Sequence, residues 1–518
     1  MELISDFIYK ANDILWGPVT IVFLVGTGLY LTIRLRFVQI RYFWHSIRCI
    51  SGKFDNPEEK GDVSHFQALC AALSATIGTG NIVGVATAIA LGGPGAVFWM
   101  WMTALLGMAM KFSSCSLALK YRVIHEDGTA SGGPMYYLEK GLGLKWLAVI
   151  FALCAGLASF GIGCAVQANS VTDGLLKIIP ESIAQAQFDP DMPLLGGRVI
   201  LRPIIGIILA LLVGIVVIGG IKRIAGVAAK IVPLMCAIYV LCSLTILVKY
   251  FADVPLAFSL IFRYAFQPLA VGGGFFGFVL ARTIERGVAR GVFSNESGLG
   301  SAPMAHAAAK THETAREGFV AMLGPFIDTI VICTMTALVI IVSGLWQVKS
   351  PGGTVLYGPG ASARPKKILL DGEHVQVAAP VGEDTQPFLQ DDGTPYVIPT
   401  GASLTSDAFE HCLPGIGAFV VSISLVFFAY STIISWSYYG DRCFEYLLGP
   451  GAILPYRFLF CCVVILGAVG GLDIVWTVAD NLNALMAAPN LIALLLLAGN
   501  VSKDKNDYVK RMKDSNLL

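Results

Sequence analysis

The stretch that decides the fold runs from His65 to Leu91: HFQALCAALSAT (65–76), IGTGN (77–81) and IVGVATAIAL (82–91). Two apolar helical runs are joined by five residues, two of them glycine, and the whole is long enough to cross a bilayer. In lipid a helix satisfies its own backbone, so an interrupted one is tolerated only where protein or water meets the freed groups. Unwinding at Gly78–Asn81 frees N–H groups that can point at a carboxylate, helped by the positive end of the following half-helix. It also frees carbonyls such as those of Ser74 and Ile77, hard oxygens suited to a small cation. For one break alone, glycines that merely allow close helix packing are the favoured reading.

A second interruption shifts that balance. PLAVGGGFFGFVL (268–280) runs on into ARGVFSNESGLGSAP (289–303). Reading apolar runs of spanning length gives about eleven transmembrane helices, near 17–35, 66–91, 95–119, 146–170, 200–219, 224–248, 268–292, 317–345, 413–440, 455–472 and 476–499. The breaks fall on the second and seventh. Spans 2–6 and 7–11 therefore read as two five-helix repeats of opposite orientation behind one extra helix, and paired interrupted spans in an inverted repeat point to a transport site at the midplane.

The expected organisation is an all-α integral membrane protein. Residues 1–16 form an outer amphipathic N-terminal helix, and 17–64 the extra first span with a basic inner loop. The first repeat occupies 65–248 and the second 249–499; 500–518 is a cytoplasmic tail. A polar insertion at 346–411 carries Pro, Gly and Asp clusters around β-like runs such as KKILLDGEHVQVA, the pattern of an outer cap with a small hairpin. Its length marks either a lid or a dispensable ornament, and the ornament is the simpler expectation.

Composition agrees. Of the 518 residues 55% are hydrophobic and 14% charged, with a mean hydropathy of +0.71. A soluble domain is about a quarter charged, so a cytosolic enzyme, a disordered chain and a coiled-coil scaffold are excluded. The 36 Lys and Arg nearly balance 35 Asp and Glu, leaving no basic surface for nucleic acid. The twelve cysteines form no CxxC pair and support neither a disulfide framework nor a zinc site. With the N-terminus outside and the C-terminus in the cytoplasm, inner segments hold 24 Lys and Arg against nine outside, the bias expected of a cell-membrane protein in that orientation.

Ionisable groups inside spans each carry a hypothesis. Asp328 could take part in cation coupling or tie helices together, and the structural role is favoured. Glu296 is expected at a cytoplasmic turn or gate rather than on substrate. Asp480, Asn481 and Asn483 form a polar patch without an assigned role. Gly272–Gly277 spells GxGxxG but follows no strand, so no nucleotide cofactor is expected. No clustered nucleophile or metal set suggests an enzyme.

The motifs GGPGAVFWMWMTALLGMA (92–109), ARGVFSNESGLGSAPMAHA (289–307), FAYSTIISWSYYGDR (428–442) and SATIGTGNIVGVATAI (74–89) resemble the sodium:alanine symporter family. The resemblance spans residues 15–500 apart from the insertion. It implies the leucine-transporter fold preceded by one extra helix, and uptake of alanine or glycine driven by sodium. It implies a substrate site of Thr79, Gly80, Asn81, Gln167, Phe275, Thr432 and Trp436. The sodium site would use the carbonyls of Ser74, Ile77 and Phe428 with the hydroxyls of Ser431 and Thr432. Thr432 and Trp436 are i, i+4 and share a helical face. The run Phe275-Phe276-Gly277-Phe278 departs from the small residues usual there, which weakens the substrate assignment more than the coupling. The expected partners are a small amino acid, sodium and membrane lipid; oligomeric state is not readable. Proton coupling, or a larger cargo such as glutamine, is the rival within transport.

Overall fold

The computed structural model describes residues 8–178, 201–266, 276–349, 401–470 and 473–517, apart from 9, 13, 57 and 127, together with short strands between 355 and 399. Among them are seven helices long and apolar enough to cross a membrane, and a bent pair that makes an eighth crossing. Two further apolar helices, α1 (Pro18–Arg34) and α6 (Leu201–Val217), have 17 residues each.

The bent pair is the stretch that opened the sequence reading. Helix α2 (His65–Thr76) begins with a capping box in which Ser64 and Gln67 satisfy each other's backbone N–H groups. It ends where Ile77 turns extended, with φ −76° and ψ 92°. The chain resumes as α3 (Gly80–Gly92), whose first turn is wide, and the two axes meet at 54°. Gly78 is needed at the corner, because a Cβ there would lie 2.7 Å from Thr432 Oγ1.

Helix α4 (Gly95–Lys120) runs through the centre, with 83% of its apolar window buried. Around it stand α5 (Lys145–Ile178), α7 (Gly220–Lys249), α8 (Val254–Phe266), α9 (Phe276–Asn295) and α10 (Thr314–Ser343). The remainder are α11 (Gly401–Cys412), α12 (Gly417–Leu448), α13 (Ile453–Val469) and α14 (Asp473–Asp514). Perimeter helices invert the soluble pattern: Leu211 and Ile215 on α6 and Leu241 and Val248 on α7 are more than 60% exposed. Apolar outer faces of this kind suit acyl chains, while the interior packs through small residues.

Three features depart from the sequence reading. The segment ending the insertion is helix α11, not loop. Its Leu404, Ala408 and Phe409 are buried, and Thr405 Oγ1 donates to the Ile82 carbonyl in the wide turn of α3 at 3.0 Å. It roofs the helix break. Next, residues 500–514 of the tail continue α14 and pack under the bundle: Lys505 Nζ donates to the Leu35 carbonyl at 2.9 Å and Tyr508 pairs with His45 at 3.0 Å. Finally, α8 occupies a stretch not read as a span and seats against α4, with Trp99 Nε1 donating to the Ala265 carbonyl at 3.1 Å. The expected hairpin is present in backbone, Lys367–Asp371 pairing antiparallel with His374–Pro380. The second glycine break, at 272–274, and Phe275 lie outside the described residues.

Candidate functional site

A small cavity sits where α2 and α3 part. It is lined at the break by Thr76, Gly78, Thr79 and Gly80, and across from it by Ile162, Gln167, Phe293, Glu296, Thr432, Trp436 and Asn483. Its space for the centre of a water molecule is about 20 Å³, room for one or two waters. Each wall is set by local backbone chemistry. Helix α5 widens into a π turn at Gly161–Ala165, and Gly163 in that turn has no side chain to hold Trp436 off. A Cβ on Gly163 would lie 2.4 Å from Trp436 Cβ. Gln167, one turn on, reaches Thr79 Oγ1 with Nε2 at 3.3 Å and the Ile162 carbonyl at 3.1 Å.

Of the residues expected to meet substrate, the fold brings Thr79, Gly80, Gln167, Thr432 and Trp436 to this cavity. Asn81 goes elsewhere. Its Nδ2 donates to Asp328 Oδ1 at 2.7 Å and its Oδ1 accepts from the Gly78 amide at 2.9 Å. The side chain thus clamps the unwound corner to α10 from behind rather than facing the cavity. Asp328 is the hub of that clamp, accepting also from Ser294 Oγ at 2.8 Å and Thr329 Oγ1 at 2.7 Å. These bonds fit the helix-tying reading of Asp328. Phe275 lies outside the described residues.

Four of the five groups expected to hold sodium converge beside the cavity. The hydroxyls of Ser431 and Thr432 both donate to the Phe428 carbonyl, at 2.9 and 3.0 Å. Both also approach the Ser74 carbonyl, at 3.3 and 3.2 Å. Ser74 Oγ in turn donates to the Ser431 carbonyl at 2.7 Å, stitching α2 to α12. All four residues are at most 2% exposed. The donor set is neutral and all oxygen, which fits a hard monovalent cation better than a transition metal. The fifth, Ile77, is buried at the end of α2.

Sequence reasoning placed Glu296 at a turn and left Asn483 without a role; both line the cavity. Glu296 follows the last residue of α9 and is left-handed, φ 54°. Glycine or asparagine usually takes that C-terminal position, and a longer side chain there costs roughly 1–2 kcal/mol. Such strain clusters at functional sites. Here it turns the carboxylate inward, where Trp436 Nε1 donates to one oxygen at 3.0 Å and Ser301 Oγ to the other at 2.5 Å. Buried Lys111 on α4 is the cation within electrostatic reach of both Glu296 and Asp328. The signal available in the sequence was the acid itself, set among SNESGLG in a membrane chain.

A family model described as the sodium:alanine symporter family matches residues 1–360 and 392–517. The sodium/alanine symporter AgcS of Methanococcus maripaludis is 44% identical over 512 residues, 98% of this chain and 98% of that protein. An uncharacterised transporter of Haemophilus influenzae is 43% identical over 512 residues, 98% of this chain and 97% of its own. The crystal structure of MhsT in complex with L-phenylalanine shares the fold, with a TM-score of 0.54 at 13% identity, over 86% of this chain and 93% of that one. With its apolar helices and its break-centred cavity, the chain is a multi-pass membrane transporter of the amino-acid:cation symport type, and it belongs to the sodium:alanine symporter family.

Proposed function

We propose that the protein takes up alanine and glycine by sodium-coupled symport with alternating access. The observation that carries this reading is the juxtaposition at the break. A small cavity abuts the N-terminus of α3, and four neutral oxygens gather within one helical turn of it, sharing Thr432 with its lining. The α3 terminus suits a carboxylate. Thr432 would touch both cargo and cation, so filling either site organises the other, and that mutual stabilisation is coupling. Trp436, Ile162 and Phe293 wall a cavity that holds only one or two waters in this state, so it must widen to admit cargo, which favours a small side chain.

Eleven spans with an outer N-terminus and a cytoplasmic C-terminus complete the proposal. Spans 2–6 (65–248) and 7–11 (249–499) would be inverted five-helix repeats, and spans 2, 3, 7 and 8 would rock against 4, 5, 9 and 10. In place of direct cargo contact, Asn81 holds the corner of the break.

The test is uptake of labelled alanine into proteoliposomes under an inward sodium gradient, with an equal potassium gradient as the control. Accumulation with sodium alone is expected. Equal accumulation in potassium would remove sodium coupling, and accumulation driven by a proton gradient instead would establish the rival ion.

A further inference from the structure

Buried polar atoms in folded proteins are nearly always hydrogen-bonded, so those that are not call for an explanation, and two that face one cavity call for a shared one. The cavity has two such atoms in its lining. Among the described residues, Gln167 Oε1 and Asn483 Oδ1 have no hydrogen-bond partner, and their residues are only 4% and 2% exposed. Glu296, 6% exposed, supplies a third acceptor. Its two oxygens receive one hydrogen bond each, from Trp436 and Ser301, whereas an ionised carboxylate has about four lone-pair sites. The three acceptors come from separate elements: α5, α14 and the turn after α9.

Three acceptors, one of them a carboxylate, call for a compact group with three donors. Water is neutral and donates two hydrogens. A primary ammonium carries one positive charge, three N–H donors and no acceptor. Gly80, which has only backbone to offer, lines the same cavity at the N-terminus of α3, so a zwitterion would find its carboxylate site there. We infer that Gln167, Glu296 and Asn483 form the ammonium-binding pole of the pocket, which makes Asn483 on the final helix and Glu296 on its strained turn substrate-binding residues. The assignment rests on the transport reading above. It also gives the positive φ at Glu296 a use: that backbone turn places its carboxylate at the cavity wall beside Trp436.

The test is calorimetric binding to the purified full chain in sodium, using alanine, N-methylalanine and N,N-dimethylalanine. Each methyl removes one N–H donor. On the wild type, affinity falls roughly tenfold or more per step, the loss of one charge-assisted hydrogen bond. Asn483→Ala weakens alanine by a similar factor and flattens one step of the series. Asn483→Asp, which restores an oxygen acceptor, recovers most of the loss, and the sodium concentration at half-saturation stays put in both. Equal affinity for all three ligands on the wild type would overturn the assignment whether or not any variant folds. So would wild-type alanine affinity in an Asn483→Ala protein that melts like its parent. A shifted sodium requirement with unchanged alanine affinity would also overturn it, because these oxygens would then hold the ion. A wild type that binds methylammonium but neither alanine nor glycine keeps the ammonium pole and refutes the cargo. One that binds none of the three brings down both.

Discussion

Gly163→Ala separates two physical effects that push in opposite directions. Helix propensity alone predicts that alanine stabilises α5 by about 1 kcal/mol. The packing predicts the reverse. The new Cβ would lie 2.4, 2.5 and 2.7 Å from Trp436 Cβ, Cγ and Cδ2, each inside an ordinary carbon–carbon contact of about 3.5–4.0 Å. Clearing that overlap moves the indole or the π turn by roughly 1 Å, and overpacking of this kind costs about 1–3 kcal/mol. The displaced indole also loses its 3.0 Å bond to Glu296. Displacements of about 1 Å at a site can reduce turnover on the order of 100-fold. The assay is initial alanine uptake in proteoliposomes beside thermal unfolding in detergent. We expect a lower melting temperature together with a severe loss of uptake. A variant that melts higher and transports with the parental KM would show that Gly163 is no more than a flexible helical position, and the role given to the π turn would fall.

Thr432→Val removes a hydroxyl that meets both Ser74 and Phe428; the sodium needed for half-maximal uptake should rise roughly tenfold or more, and an unchanged requirement would place the ion elsewhere. Asn81→Ala strands the Gly78 amide and removes one partner of Asp328, at about 1–3 kcal/mol per unsatisfied group. Its melting temperature should drop along with uptake, whereas a lost cargo contact would spare stability. His45, outside the spans, is held near a pKa of about 4 by burial and then by Arg48 and Arg316. The unfolded chain takes up that proton near 6.5 while the folded one resists it. Stability should therefore fall as pH drops from 6.5 towards 4, by on the order of 3 kcal/mol, and stay flat above that window. Denaturant midpoints across this range check the slope, which His45→Gln should reduce.

The break at 77–81 was legible because glycines in an otherwise continuous apolar run leave few other uses in lipid. Thr432, Trp436 and Gln167 came from the resemblance, with the i, i+4 spacing of the first two agreeing, and the fold places all three at one cavity. The direction of Asn81 was not legible: a side chain at an unwound corner can face either way, and Asp328, 247 positions along, decides it. Asn483 was recognised as polar but not as a cavity residue, since only the packing of α14 against the π turn of α5 gives it that place. Helix α11 escaped notice because GASLTSDAFEHC mixes hydroxyls and an acid with too few apolar positions to show a period.

That roof helix also divides the insertion into two parts with different tolerances. The family model skips residues 361–391 yet resumes at 392, ahead of α11. Thr405 is bonded to the very turn that opens the site, so the chain from 401 onward belongs to the transport apparatus, while 361–391 is the stretch the family pattern does not require. A reporter or affinity tag spliced in place of 361–391 should therefore leave uptake intact, but the same splice carried twenty residues further would unroof the break. The boundary between decoration and machine falls inside one apparent loop, near residue 400.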